Sequence, residues 1–141
     1  MKILFRIAAL AATIALAAGC CNCRSYQKKP RRPLVGTEWQ LIQLEGRSVK
    51  AEPGTYTLTL EAEGNHLSGV GACNRLMGSY STGERRALKI GPLASTKMAC
   101  PNLDQEQQFL RALESTTHSK LDRPSLLLLS NGKLPAVFQA K

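Results

Sequence analysis

Cys73 stands beside Asn74, and the chain has two histidines, His66 and His118, as candidate bases. A cysteine hydrolase needs a thiolate, a histidine held close to it and a third group that orients the histidine, and these four residues supply the types. No recognisable nucleophile motif surrounds Cys73. His66 is expected on the solvent face of a strand. His118 is expected in a last helical turn, where a cation suits the helix dipole. The other cysteines are Cys20, Cys21, Cys23 and Cys100. Cys20-Cys21-Asn22-Cys23 lacks the spacing of a zinc knuckle, and Gly69-x-Gly71 lacks the further glycine and the Lys-Ser/Thr pair of a phosphate loop. No cofactor and no metal is therefore expected. Asn74, Arg75, Tyr80 and Thr96 flank Cys73 and Cys100. They can form a recognition surface, or satisfy backbone groups where strands bend, as Asn and Thr often do.

The elements that must position these residues are mostly strands. Thr37–Leu44 alternates, with Trp39 and Leu41 on one face. Thr55–Leu60 places Tyr56, Leu58 and Leu60 inward and its threonines outward. The small residues of His66–Asn74 point to a bent strand or a close backbone approach. Leu88–Ile90 and Leu93–Met98 read as short strands around Gly91-Pro92. A helix starts after Pro101, capped by Asn102 with Gln105 in capping-box position. Leu103, Gln107, Leu110 and Leu113 form its apolar stripe, widened by Phe109 and Ala112, and it ends near Ser115–His118. Ser125–Ser130 is a buried strand, too short to span a membrane. Asn131-Gly132 turns the chain in a type I′ hairpin. Lys133–Ala140 returns antiparallel, with Pro135 marking an edge or a bulge. About seven strands and one helix predict a mainly β, α+β fold: a small antiparallel, barrel-like curled sheet with a single helix packed across it.

The N-terminus has a different character. Lys2 and Arg6 precede the uncharged apolar run Ile7–Ala18, which is too short for a comfortable membrane span. Leu16-Ala17-Ala18-Gly19-Cys20 resembles the lipobox of bacterial lipoproteins, although Ala17 stands where a larger aliphatic is usual. The resemblance implies cleavage before Cys20 and lipidation of that residue. The expected organisation is a signal peptide over residues 1–19, a lipidated basic tether over 20–33 and one domain over 34–141. Cys21, rather than Asp, follows the lipidated position, which favours the outer membrane, facing the periplasm.

The charge arithmetic follows the same division. The whole chain has 19 Lys+Arg against 10 Asp+Glu, a formal net charge of +9. Arg24, Lys28, Lys29, Arg31 and Arg32 add five positive charges to the tether with no acid, whereas residues 34–141 hold 12 basic and 10 acidic side chains. The basicity belongs to the tether, which suits anionic headgroups beside a lipid anchor. A nearly neutral exported domain with 5% aromatic residues disfavours nucleic acid as a partner. Export to an oxidising compartment also favours bridges over free thiols. Cys73 and Cys100, the two cysteines of the domain, are therefore expected to pair, at a gain of roughly 3–4 kcal/mol in the chain-entropy model.

Beside this reading stands a family resemblance. Leu34-Val-Gly36-Thr37-Glu-Trp39-Gln-Leu41, Gly69-Val-Gly71-Ala-Cys73-Asn74-Arg75, Gly78-Ser-Tyr80 and Leu93-Ala-Ser95-Thr96-Lys-Met98-Ala-Cys100-Pro101 resemble the META/HslJ family of small bacterial envelope proteins. The resemblance implies a β-barrel-like fold crossed by one helix, and a role tied to envelope stress, the heat-shock response and novobiocin tolerance. It carries no catalytic residues. The expected function is thus non-catalytic binding of an envelope protein or cell-wall component, with the membrane as second partner through the anchor. The sequence does not fix an oligomeric state, and a monomer is compatible with it. The alternatives are a periplasmic inhibitor of a lysozyme or other hydrolase and a hydrolase using Cys73. Animal-type lysozymes are cationic and call for an acidic inhibitor face, of which the domain gives no sign.

Overall fold

The computed structural model describes residues 30–141, and residues 31–141 form one compact unit. The expected signal peptide, Cys20, Cys21, Cys23 and most of the expected tether lie outside the described residues. Ten strands and one long helix make up the unit: β1 (Glu38–Leu44), β2 (Arg47–Ser48), β3 (Thr57–Leu60), β4 (His66–Val70), β5 (Arg75–Thr82), β6 (Leu88–Ile90), β7 (Ala94–Ser95), α1 (Leu103–Glu114), β8 (His118–Asp122), β9 (Ser125–Ser130) and β10 (Lys133–Ala140). A short 3-10 turn at Glu84–Arg86 joins β5 to β6.

All pairings are antiparallel, in the order β6-β5-β4-β3-β1-β10-β9-β8, with β2 added to β1 and β7 to β5. The ends of this order curl towards each other. A single bridge between Ala87 and His118, with Leu88 N–H donating to the Thr117 carbonyl at 3.0 Å, nearly closes a barrel with one seam. The mainly β, one-helix expectation thus describes the fold.

Alternation explains which strands were readable. Trp39, Leu41 and Leu44 of β1 are buried, as are Leu58 and Leu60 of β3 and Leu126 and Leu128 of β9. Thr57 is buried too, against the expectation of an outward threonine. Asn131 (φ 47°) and Gly132 (φ 79°) both take the left-handed conformation that a type I′ turn requires. Pro135 sits at a shift of register between Lys133 and Ala136 in a strand paired on both sides, so it marks a bulge and not an edge.

Helix α1 lies across the barrel. Phe109, Ala112 and Leu113 bury their side chains, and Phe109 meets Tyr56 edge-on at 5.5 Å and Phe138 at 6.1 Å between ring centroids. The buried stripe is rotated from the expected one: Gln107 is exposed and Glu106 is buried. Asn102 makes no side-chain capping bond, and Gln105 accepts a hydrogen bond from the Tyr56 hydroxyl at 2.9 Å instead of closing a capping box. Burying a phenol at this point makes a tertiary partner for Gln105 worth more than a local one. His118 opens β8, exposed, and does not end the helix.

Candidate functional site

The short segment between β4 and β5 makes a tight loop, because Gly71 N–H donates to the Asn74 carbonyl at 2.7 Å. That closure aims consecutive backbone N–H groups the same way, the arrangement that holds anions in a concave nest. The anion is the carboxylate of Glu106, from the start of α1. Its Oε2 accepts from Cys73 N–H and from Asn74 N–H, each at 3.2 Å. Its Oε1 accepts from Asn74 Nδ2 at 2.6 Å. Gly71 is required here, since a Cβ on it would lie well inside contact distance of the Glu106 carboxylate. Gly69, two residues earlier, lets β4 approach the Thr57 carbonyl in the same way.

Asn74 spends its whole side chain on this junction. Nδ2 also donates to the Met98 carbonyl at 3.3 Å, and Oδ1 accepts from Thr96 Oγ1 at 2.9 Å and from Met98 N–H at 2.8 Å. Thr96 completes a two-way tie to Arg75: its Oγ1 accepts from Arg75 N–H, and its N–H donates to the Arg75 carbonyl, both at 3.1 Å. The Cys73–Cys100 disulfide, with Cα atoms 6.5 Å apart, bonds the same two segments covalently. Loop 71–75, segment 96–100 and the first turn of α1 are therefore one latch, and the helix is held down by its carboxylate.

Burial alone would push the Glu106 carboxyl up. The hydrogen bonds from the Asn74 side chain and from the backbone of Cys73, Asn74 and Ala72 outweigh burial and hold it below the ordinary carboxylate range. Tyr56 moves the other way: burial first, and then the negative charge of Glu106, raise its phenol above the usual value. Among the described residues no buried side-chain nitrogen or oxygen lacks a partner.

Chemically, this arrangement is inward-looking. Cys73 Sγ, Cys100 Sγ and a Glu106 oxygen lie within 4.8 Å of one another, a spacing that three metal ligands could share. The sulfurs are bonded to each other and the carboxylate is engaged by its nest, so the donor set does not suit a metal. The four polar residues flanking the cysteines do not form one face. Asn74 is buried in the latch, and Tyr80 is buried with its hydroxyl donating to the Glu61 carbonyl at 2.7 Å. Arg75 is exposed, and Thr96 is exposed with its hydroxyl committed. His66 and His118 are both exposed, on β4 and β8, and among the described residues the only side-chain bond of His118 is with Thr117.

The sequence pattern of these blocks, the curled sheet and its single helix coincide with a known family. A META domain family model matches residues 32–141. The chain belongs to the META domain family. Of solved structures, it is similar to a protein from Burkholderia xenovorans determined by NMR, at 30% identity and a TM-score of 0.59, over 77% of this chain and 83% of that one. A protein of the DUF4847 family from Bacteroides vulgatus shares the fold alone, at 15% identity and a TM-score of 0.57, over 76% of this chain and 92% of that one. No curated protein matches the chain. Within this META domain, Glu106 is the residue that sequence reasoning missed. The signal was present: an acid three residues before Phe109 and seven before Leu113 sits on the buried stripe of α1.

Proposed function

We propose that this META domain protein is a lipid-anchored, non-catalytic component of the bacterial envelope, facing the periplasm from the outer membrane. It contributes to envelope integrity or stress tolerance by binding an envelope protein or a cell-wall component. The observation that carries the reading is the condition of Cys73. Its sulfur is tied to Cys100, and its backbone N–H and its neighbour Asn74 are consumed by Glu106. A residue so engaged serves a rigid scaffold, and thiol catalysis would require dismantling it. The lipobox-like Leu16–Cys20 segment and the basic tether supply the anchored half of the reading.

The test is made on protein purified from membranes. Mass spectrometry of unreduced peptides is expected to find acyl chains on Cys20 and the Cys73–Cys100 bridge. Deletion of the gene is expected to raise sensitivity to novobiocin and other large hydrophobic antibiotics. Unmodified Cys20 in a soluble protein would end the anchored reading, and unchanged sensitivity would end the integrity role. Hydrolysis that is lost in a folded Cys73→Ser variant would replace both with an enzyme.

A further inference from the structure

A groove of about 500 Å³ opens along the barrel seam, between the turn that follows β5 and strand β8. Below the Ala87–His118 bridge the two ends of the sheet no longer pair, and the gap between them is this groove. Arg31, Arg86 and Lys120 line it, Asp122 is its one acid, and Leu34 and Leu121 give it an apolar wall. A narrower cleft shares Arg31 and Leu121 and continues past Arg32 and Arg123. Among the described residues Arg31, Arg86 and Lys120 have no salt-bridge partner within 4.0 Å; the one salt bridge, Lys141 to Glu38, lies elsewhere. Arg86 is also held at a cost: it and Arg85 both take the left-handed conformation, at φ 65° and 54°. Non-glycine residues in that region carry backbone strain, and such strain concentrates at functional sites.

We propose that the seam groove binds the phosphate headgroup of an anionic lipid. The domain as a whole is nearly neutral, yet this face places guanidinium and ammonium groups that are without a salt bridge among the described residues beside an apolar wall. Arginine presents planar donors that match phosphate oxygens, and an apolar wall beside them suits the glycerol and first methylenes of an amphiphile. The groove also lies where the chain enters the domain. Arg31 is eleven residue steps beyond Cys20, which is at most roughly 40 Å of extended chain. A domain tethered so closely to a lipid anchor meets headgroups at high local concentration. The inference deepens the anchored reading by naming the ligand of this face, and it rests on that reading for the source of the lipid.

The probe is dihexanoyl-phosphatidylglycerol, a soluble anionic lipid, titrated into isotope-labelled protein carrying Cys20→Ser so that no acyl chain of its own interferes. Saturable NMR shifts are expected at the amides of Gly83, Ala87, Ser119 and Leu121. Dihexanoyl-phosphatidylcholine is expected to bind about tenfold more weakly or worse. Arg86→Gln combined with Lys120→Gln is expected to lower phosphatidylglycerol affinity by about tenfold, with shifts elsewhere in the spectrum unchanged, which shows the variant folded. Equal binding of the choline lipid, or insensitivity to the double variant, would overturn the proposal. So would inorganic phosphate that saturates the same amides equally well, which would mark a free-anion site, or an oligoglutamate peptide that binds as tightly. Acylation of Cys20 is read independently: an acylated protein with an inert groove sinks this inference alone, and an unacylated protein with a working groove sinks the anchor alone.

Discussion

The two ends of β5 handle charge in opposite ways. At the Arg75 end, the carboxylate of Glu106 is buried and surrounded by donors, and Asn74 has none of its side-chain capacity left over. At the Thr82 end, roughly 23 Å away along the strand, cationic side chains line an open groove with no salt-bridge partner within 4.0 Å among the described residues. A buried charge is tolerated only where every lone pair is answered, and such a site is fixed by construction. An exposed charge costs the fold almost nothing and remains available. The latch therefore serves stability, and the seam is the place to look for a ligand.

That contrast can be broken by substitution, most severely at the latch. Replacing Cys73 and Cys100 together by serine is expected to lower stability by about 3–4 kcal/mol, from the length of the loop they close. Urea unfolding of the oxidised and substituted proteins measures this. A loss below about 1 kcal/mol would mean that the hydrogen bonds of the latch already restrain the loop without the covalent bond.

Glu106→Ala is next, at about 3 kcal/mol, because it orphans the Asn74 amide and two backbone N–H groups at once. It also changes the response to acid. The folded carboxyl of Glu106 lies below its ordinary value, so its contribution is present above the ordinary carboxylate range and is lost as pH falls through the folded value. Glu106→Gln is expected to remove this part of the acid sensitivity while the wild type keeps it, as thermal midpoints measured from neutral to strongly acidic pH can report. Tyr56 has the opposite sign. Its phenol is raised, so its contribution is present below the ordinary tyrosine value of about 10 and is lost as pH rises beyond it. Tyr56→Phe is expected to flatten the alkaline limb of the same curve.

The smallest effect on stability belongs to the seam. Arg86→Gln and Lys120→Gln, both exposed, are each expected to change the unfolding free energy by less than about 0.5 kcal/mol. Arg86→Gly is expected to be neutral or stabilising, because glycine relieves the left-handed backbone. A loss of more than 1 kcal/mol in any of these would place the seam arginine in the structural class with Glu106 and erase the comparison.

Much of this architecture is visible in the alternation of side chains. β1, β3 and β9 place Trp39 and Leu41, Leu58 and Leu60, and Leu126 and Leu128 on the buried face two residues apart, and Asn131-Gly132 names its turn by conformational freedom alone. β5 and β8 were not visible. In β5 the inward positions are Leu76, Gly78 and Tyr80, and the glycine breaks the pattern in order to admit Leu93. In β8 the buried residue is Ser119, and only Leu121 is apolar, so the strand exists because β9 offers it a complete ladder. Strand formation at such positions is a property of the neighbour and not of the segment.

The cysteines show where that boundary runs. Residue type, together with the export expected from the lipobox-like segment, sufficed to expect the Cys73–Cys100 pair, because two thiols in one exported domain would have few other fates. The same sequence left Asn74, Arg75, Tyr80 and Thr96 undivided between recognition and structure. Periodicity, turn chemistry and cysteine arithmetic, all local in the chain, determined the class of fold and its staple. Tertiary structure alone decided that Glu106 fills the nest of loop 71–75, across a sequence gap of more than thirty residues. It also decided that Arg31, Arg86 and Lys120 share one groove at the seam. Both outcomes depend on how a curled sheet closes, and a pairing between distant segments leaves no period in the sequence to read.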